Sequence, residues 1–80
     1  FDTYMFSENE IEELLEKAIA NLPEKCRQVF ILSRMEGLKH EEIARQLGVS
    51  AHTVQNHIVT ALRKLKIELK DYLPLFFFII

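Results

Sequence analysis

Apolar residues recur with a helical period in the first part of the chain. They stand three or four positions apart, and acidic residues fill the opposite face. The apolar positions are Ile11, Leu14, Leu15, Ala18, Ile19 and Leu22. Ser7 and Glu10 have the spacing of a capping box, while Phe6 and Ile11 have the spacing of a hydrophobic staple. The pattern predicts an amphipathic helix that starts at Ser7 and ends before Pro23.

A second helix is predicted from Pro23 to Met35. Pro23 is expected as its first residue, because a proline there lacks only an N–H that would have no helical partner. The segment from Val29 to Leu32 is apolar nearly all the way round, so we expect this helix to be central and the most buried. Gly37 is expected just past its end, in the left-handed conformation that closes many helices.

Residues 39–65, KHEEIARQLGVSAHTVQNHIVTALRKL, have the pattern of a short helix, a tight turn and a longer helix. Gly48 lies where the chain must turn sharply, and the Ser50 hydroxyl is expected to cap the second helix. One apolar stripe follows, at Val54, Ile58, Ala61, Leu62, Leu65 and Leu69. This helix is expected to run for about 20 residues, until Pro74 prevents its continuation. The pattern predicts a helix-turn-helix, which lays its second helix in the DNA major groove.

These segments together predict an all-α, four-helix domain that ends in the helix-turn-helix. We place the domain at residues 7–72, with an N-terminal extension at 1–6 and an apolar tail at 73–80. The tail, LPLFFFII, is far shorter than the ~20 residues needed to cross a bilayer, so no membrane span is expected. We expect it to pack on the core or on a partner, including a second copy of the chain. Because the sequence begins with Phe1 and not with Met, we expect one domain of a longer protein.

Charge is distributed unevenly along the 80 residues, whose net charge is −2. Residues 1–38 carry four basic and eight acidic groups, whereas residues 39–80 carry six basic and four acidic groups. No acid occurs between Ser50 and Lys66, so the last helix is locally basic. With so few cations, the isolated domain is expected to bind DNA weakly. The single cysteine, Cys26, excludes an intramolecular disulfide and fits a reducing cytoplasm.

The chain offers little chemistry of the kind that enzymes or metal sites require. His52 and His57 are expected on different faces of their helix, and Cys26 has no second thiol at ligand spacing. There is no glycine-rich phosphate loop, and no nucleophile has a plausible base beside it. We therefore expect neither an enzyme nor a cofactor or metal site.

The polar face of the last helix is better suited to DNA. Its first two turns hold short hydrogen-bonding side chains in place of the Glu and Lys pairs of a solvated helix. Gln55 and Asn56 can pair with an adenine edge in the major groove. Arg63 and Lys64 come later in the helix and suit flanking phosphates, and the Ser50 hydroxyl at the helix start offers a further phosphate contact.

The chain resembles region four, the C-terminal domain, of bacterial extracytoplasmic-function sigma factors. The resemblance rests on LPEKCRQVF, EGLKHEEIARQLGVS and TVQNHI…ALRKL, which follow an acidic amphipathic helix. It implies a helical fold of the winged-helix-like, sigma region four type. It also implies binding to the promoter −35 element, docking on the flap of the RNA polymerase β subunit, and occlusion by an anti-sigma factor. The flap contact would involve the surroundings of Val29, Phe30 and Leu38.

The resemblance also implies roles for individual residues. The expected base-reading residues are His52, Gln55 and Asn56. The expected phosphate contacts are Lys39, Ser50, Thr53, Thr60, Arg63 and Lys64. The chain departs from the common pattern because Gln55, His57 and Thr60 stand where many relatives have arginine. Lys39 replaces a Ser or Thr helix cap. The departures mean that the family's usual −35 sequence is not expected to carry over.

Two other interpretations remain open on the sequence. The run EGLKHEEIARQLGVSAHTVQNHI also resembles the DNA-binding domain of LuxR-type regulators, which usually opens with a Leu-Thr-x-Arg-Glu type of segment. Here a full helix and the LPEKCR segment come first. A helical protein-interaction module without DNA binding is the other alternative. Binding to a polymerase β-flap fragment would separate the sigma interpretation from the LuxR-type one.

Overall fold

The computed structural model describes residues 8–72 and folds them into four α-helices. The helices are α1 (Glu8–Ala20), α2 (Glu24–Phe30), α3 (His40–Leu47) and α4 (Ala51–Glu68). A π-helical segment, Ile31–Met35, continues α2, and a 3-10 turn, Lys70–Tyr72, follows α4. Within residues 8–72 there is no β-strand, and the predicted all-α, four-helix fold is confirmed. The proposed Ser7 cap, the Phe6 staple and the tail at residues 73–80 lie outside the described residues.

The sequence pattern predicted Pro23 as the first residue of the second helix, but Pro23 precedes that helix. Its ψ of 145° is extended, so it occupies the N-cap position and Glu24 begins α2. The Pro23 carbonyl accepts the first helical hydrogen bond, from the Arg27 N–H at 2.9 Å. The proline still fits, because a residue in this position has no helical partner for an N–H.

The second helix does not remain α-helical to Met35. From Ile31 onward it widens into the π segment, and the Glu36 N–H donates to the Ile31 carbonyl at 3.1 Å. Gly37 then adopts a φ of +69°, as predicted, and the Leu38 N–H donates to the Leu32 carbonyl at 3.0 Å. Hydrophobic spacing gives no sign of such a widening, because an α-turn and a π-turn bury nearly the same positions over five residues.

The core consists of two clusters that share α2 and α4. The α1-side cluster comprises the buried residues Ala18, Leu22, Cys26, Phe30, Ala61, Leu65 and Leu69. The α3-side cluster comprises Val29, Leu32, Ile43, Ala44, Val54 and Ile58. The predicted stripe of α4 is therefore confirmed, with Leu62 half-buried and in contact with both clusters. α2 contributes to both clusters, which confirms its predicted central position.

α4 ends at Glu68, before Pro74 could stop it. It has 18 residues, and the Leu69 N–H closes it by donating to the Leu65 carbonyl. The chain then tightens into the 3-10 turn, in which the Tyr72 N–H donates to the Leu69 carbonyl at 2.8 Å. No helix among the described residues is both long enough and apolar enough to cross a membrane.

Candidate nucleic-acid interface

The turn between α3 and α4 depends on the backbone conformation of Gly48. Gly48 has φ +69° and ψ 36°, in the left-handed region. A Cβ placed there would meet no heavy atom within 4 Å, so the requirement for glycine comes from the backbone angles and not from crowding. The Val49 N–H donates to the Ala44 carbonyl at 3.0 Å, which closes the end of α3. The predicted turn is confirmed.

Ser50 caps α4 as predicted. Its Oγ accepts the Thr53 N–H at 3.0 Å, and its hydroxyl donates to the Thr53 Oγ1 at 2.9 Å. The bond from the Thr53 N–H satisfies a backbone donor of the first turn that would otherwise be unpaired. Since both bonds of the Ser50 hydroxyl are local, the Thr53 hydroxyl is left to donate outward on this edge of the helix.

The start of α3 is held from one side only. Lys39 occupies the N-cap position with an extended ψ of 156°, but an ammonium group has no acceptor for helix N–H groups. Glu42 compensates by accepting the Lys39 backbone N–H on its Oε1 at 3.0 Å. This is the acidic half of a capping box. The Lys39 side chain, on an exposed residue, does not take part in the cap.

The outward surface of α4 has two parts. His52, Gln55 and Asn56 are exposed on its first two turns, and the half-buried Thr53 and Thr60 lie on its flank. Arg63 and Lys64 are exposed further along. Arg63 lies about 10 Å beyond Asn56 along the helix axis, at 1.5 Å per residue. The structure therefore brings the expected base-reading residues together at the N-terminal end and places the cations beyond them.

Two residues near this surface were not predicted as site residues. Val59 is 46% exposed and lies between Asn56 and Arg63 on the outward side of α4. An apolar side chain in that position suits a thymine methyl group, and its presence on a polar face was the available sequence signal. His57 is half-buried, and its Nδ1 lies 3.6 Å from the Cys26 Sγ. No sequence signal connects His57 with Cys26, because the two residues lie on different helices.

A second surface feature lies between α1 and the α2–π helix. It is an open cleft of about 490 Å³, with mainly apolar walls and three charged residues among its lining. Its lining residues are Glu12, Leu15, Glu16, Ile19, Ala20, Arg27, Ile31 and Met35. Arg27 bridges the two helices, because its Nη1 donates to the Ala20 carbonyl at 3.3 Å.

Two of the three residues named for the expected flap contact are buried, whereas the third, Leu38, is half-buried. Val29 and Phe30 are 1% and 0% exposed, so both are core residues that a docking protein cannot touch. Ile31 and Met35 lie on the other side of the same helix and line the cleft. The sequence could not make this distinction, because all four residues are apolar and only the packing of the neighbouring helices separates them.

Comparison with known proteins identifies the family. Residues 12–65 match the family described as Sigma-70, region 4. The chain is also similar to the ferric citrate uptake sigma factor FecI of Escherichia coli (strain K12), at 38% identity over 55 residues. The aligned part covers 69% of this chain and 32% of that relative, so the chain spans about a third of the relative's length. No solved structure matched the chain significantly.

The family match covers α3, the Gly48 turn and the part of α4 that carries His52, Gln55 and Asn56. It decides between the two resemblances that the sequence left open, in favour of the sigma factors. The chain therefore belongs to the sigma-70 region 4 family, as a region 4 domain of the extracytoplasmic-function type.

Proposed function

We propose that this domain recognises the −35 element of promoter DNA and thereby helps to direct RNA polymerase to the start of transcription. The observation that carries the proposal is the charge-free, hydrogen-bonding surface on the first two turns of α4, held out by a helix-turn-helix. In this function the domain acts by binding in the cytoplasm, without catalysis or a cofactor. Family membership supports the same role.

Base recognition falls to His52, Gln55 and Asn56. All three are exposed near the N-terminal end of α4, the part of a recognition helix that enters the major groove. The amides of Gln55 and Asn56 can each form a bidentate pair with an adenine edge, and an imidazole can accept or donate one bond. Since arginine is absent from these turns, we expect contacts to adenine and thymine to outnumber contacts to guanine.

His52, Gln55 and Asn56 form what we call the reading surface, and the proposed phosphate contacts surround it. The residues proposed for them are Lys39, Ser50, Thr53, Thr60, Arg63 and Lys64. Three are cations, and three are hydroxyl residues at the start or on the flank of α4. The Ser50 O–H donates to the Thr53 Oγ1, so a phosphate contact by Ser50 requires it to leave that bond. Because so few cations take part, we expect micromolar or weaker affinity for an isolated duplex and a shallow dependence on salt. Polymerase would supply the missing affinity by holding the domain near its site at high effective concentration.

The cleft between α1 and α2 is the proposed docking site for the flap of the polymerase β subunit. Leu15, Ile19, Ile31 and Met35 give it an apolar lining, and Met35 is 53% exposed, so a helix with an apolar stripe would bury surface there. An anti-sigma factor would act by covering this cleft or the outward face of α4. The lining of the cleft shares no residue with the proposed DNA contacts, so DNA and the flap would not compete for the same side chains.

Selection of duplexes from a random pool, with polymerase bound to the full sigma factor, tests the DNA assignment. Asn56→Ala should relax discrimination at one or two base pairs by about 1–3 kcal/mol each. Arg63→Ala should weaken all sequences about equally, and Arg34→Ala is its matched control because Arg34 is exposed on another helix. If substitutions of Gln55, Asn56 and Arg63 to alanine all leave promoter affinity unchanged, the domain is not the −35 reader.

Capture of a β-flap fragment tests the docking assignment. Ile31→Asp places a charge in the apolar cleft and should reduce capture at least tenfold, since an unpaired charge at an apolar contact costs more than ~1.4 kcal/mol. Ile67→Asp is the control, because Ile67 is an exposed apolar residue on α4 outside the cleft. Equal capture of both variants and the parent chain would contradict the docking site.

A further inference from the structure

A side-chain contact joins α2 to α4 directly beneath the reading surface. The Cys26 Sγ lies 3.6 Å from the Nδ1 of His57, the neighbour of Asn56 in sequence. Cys26 is 5% exposed and belongs to the α1-side cluster, whereas His57 is half-buried. The contact therefore runs from the core to the edge of the proposed DNA interface.

The chemistry of the two groups favours one direction for this hydrogen bond. A thiol sulfur is a weak acceptor, whereas the unprotonated nitrogen of a neutral imidazole accepts readily. The Cys26 S–H should therefore donate to the His57 Nδ1. A neutral ring that accepts on Nδ1 carries its proton on Nε2. With the thiol as donor, the contact would favour the Nε2–H tautomer of His57 and hold the ring in place.

The Nε2 of His57 is not fully buried. Among the described residues no buried side-chain nitrogen or oxygen lacks a hydrogen-bond partner, and the ring's contact with Cys26 uses Nδ1. His57 also shares a flank of α4 with three residues proposed to contact phosphates. Thr53 lies four positions before it, and Thr60 and Lys64 lie three and seven positions after it. The ring thus presents an N–H donor among groups that suit the DNA backbone.

We propose that His57 donates its Nε2–H to a DNA phosphate and that the Cys26 thiol is the positioning residue that holds it ready. The inference rests on the proposed promoter-binding function and adds one contact and its support to it. The contact is a neutral donor. It therefore adds affinity without releasing a further counterion, in contrast to Arg63.

The first test is made without DNA. Ring nitrogen chemical shifts of His57, measured on the complete chain at a pH where the imidazole is neutral, report the tautomer directly. We expect the Nε2–H form to dominate in the parent chain and in Cys26→Ser, which keeps a donor. Cys26→Ala should return the ring to a mixture of tautomers. A dominant Nδ1–H form, or the same shifts in Cys26→Ala, would overturn the positioning role.

The second test measures promoter affinity in the polymerase-bound protein. His57→Ala should weaken binding about three- to tenfold, the effect of one net hydrogen bond, with an unchanged salt slope. Cys26→Ala should weaken it less, Cys26→Ser should restore it, and the double variant should be no weaker than His57→Ala alone. Additive losses would show that Cys26 supports only the fold. If Asn56→Ala weakens binding and His57→Ala does not, this inference fails alone. If the alanine variants of Gln55, Asn56 and Arg63 also leave binding unchanged, the promoter-binding proposal fails.

Discussion

The two halves of α4 share one apolar stripe but differ in what supports them and in what they expose. The N-terminal half packs through Val54 and Ile58 on the α3-side cluster. Its exposed side chains include no aspartate, glutamate, lysine or arginine. The C-terminal half packs through Ala61 and Leu65 on the α1-side cluster and exposes several cations. One continuous helix therefore carries two different surfaces.

In the proposed function, this difference separates base reading by the N-terminal half of α4 from phosphate contact by its C-terminal half. A reading surface needs short polar groups free of competing ion pairs, and it needs a support that fixes its angle to the DNA. The short α3 and its glycine turn provide that support. The other half needs only general attraction to phosphate, while its support, α1, also forms one wall of the cleft. The division predicts that changes in the two halves have distinct consequences.

The largest effects are expected from truncating one core residue beneath each half. Ile43→Ala in the α3-side cluster and Leu65→Ala in the α1-side cluster should each lower the free energy of unfolding by about 2–5 kcal/mol, because both side chains are completely buried. Denaturant unfolding measures both, and Val59→Ala should change stability by less than ~0.5 kcal/mol. A loss below about 1 kcal/mol at either core site would show that this half of α4 is loosely supported.

A smaller effect is expected at the turn that orients the N-terminal half. Gly48→Ala should lower the free energy of unfolding by about 1–2 kcal/mol, because an L-residue is strained at a φ of +69°. Gly48→Asn is the control and should lose less, since asparagine tolerates the left-handed region. Equal stability of the alanine variant and the parent chain would mean that the turn adopts another conformation.

The cap of α4 distinguishes stability from DNA contact. Ser50→Ala should lower the free energy of unfolding by about 1 kcal/mol, because the Thr53 N–H loses its acceptor. Ser50→Asp keeps an acceptor and should retain stability, but its charge should repel phosphate and weaken promoter binding. Thermal unfolding and promoter affinity, measured on both variants, check the two expectations. Unchanged affinity of Ser50→Asp would place the start of α4 away from the DNA backbone.

The smallest effect is expected at the far end of the C-terminal half. The Asn21 Nδ2 donates to the Glu68 Oε1 at 3.0 Å on the surface and ties α1 to the end of α4. Asn21→Ala should lower the free energy of unfolding by only about 0.5 kcal/mol, because water replaces an exposed hydrogen bond. Promoter affinity should not change. A large loss of affinity would show that the two halves are coupled and would contradict their separation.

Local patterns in the sequence determined the fold and the reading surface to a large extent. The periodic stripe of α4, the Gly48 turn, the Ser50 cap and Gly37 were all predicted, because each depends on neighbouring residues alone. The sequence determined the first and last residues of the helices less well. The extended Pro23, the π segment and the early end of α4 depend on small changes of backbone angle that apolar spacing does not record.

The tertiary structure alone decided which apolar residues of α2 are core and which line a surface. Val29 and Ile31 look alike in the sequence, but only the packing of α1 and α4 on either side separates them. The tertiary structure likewise brings Cys26 and His57 together, although they are 31 positions apart in the chain. The Cys26 Sγ lies 3.6 Å from the His57 Nδ1. The sequence by itself determined the exposed and buried faces of the amphipathic helices α1, α3 and α4, since these follow from helical period. Contacts between residues of different helices are decided only in the folded chain, because close packing brings together residues that no local pattern connects.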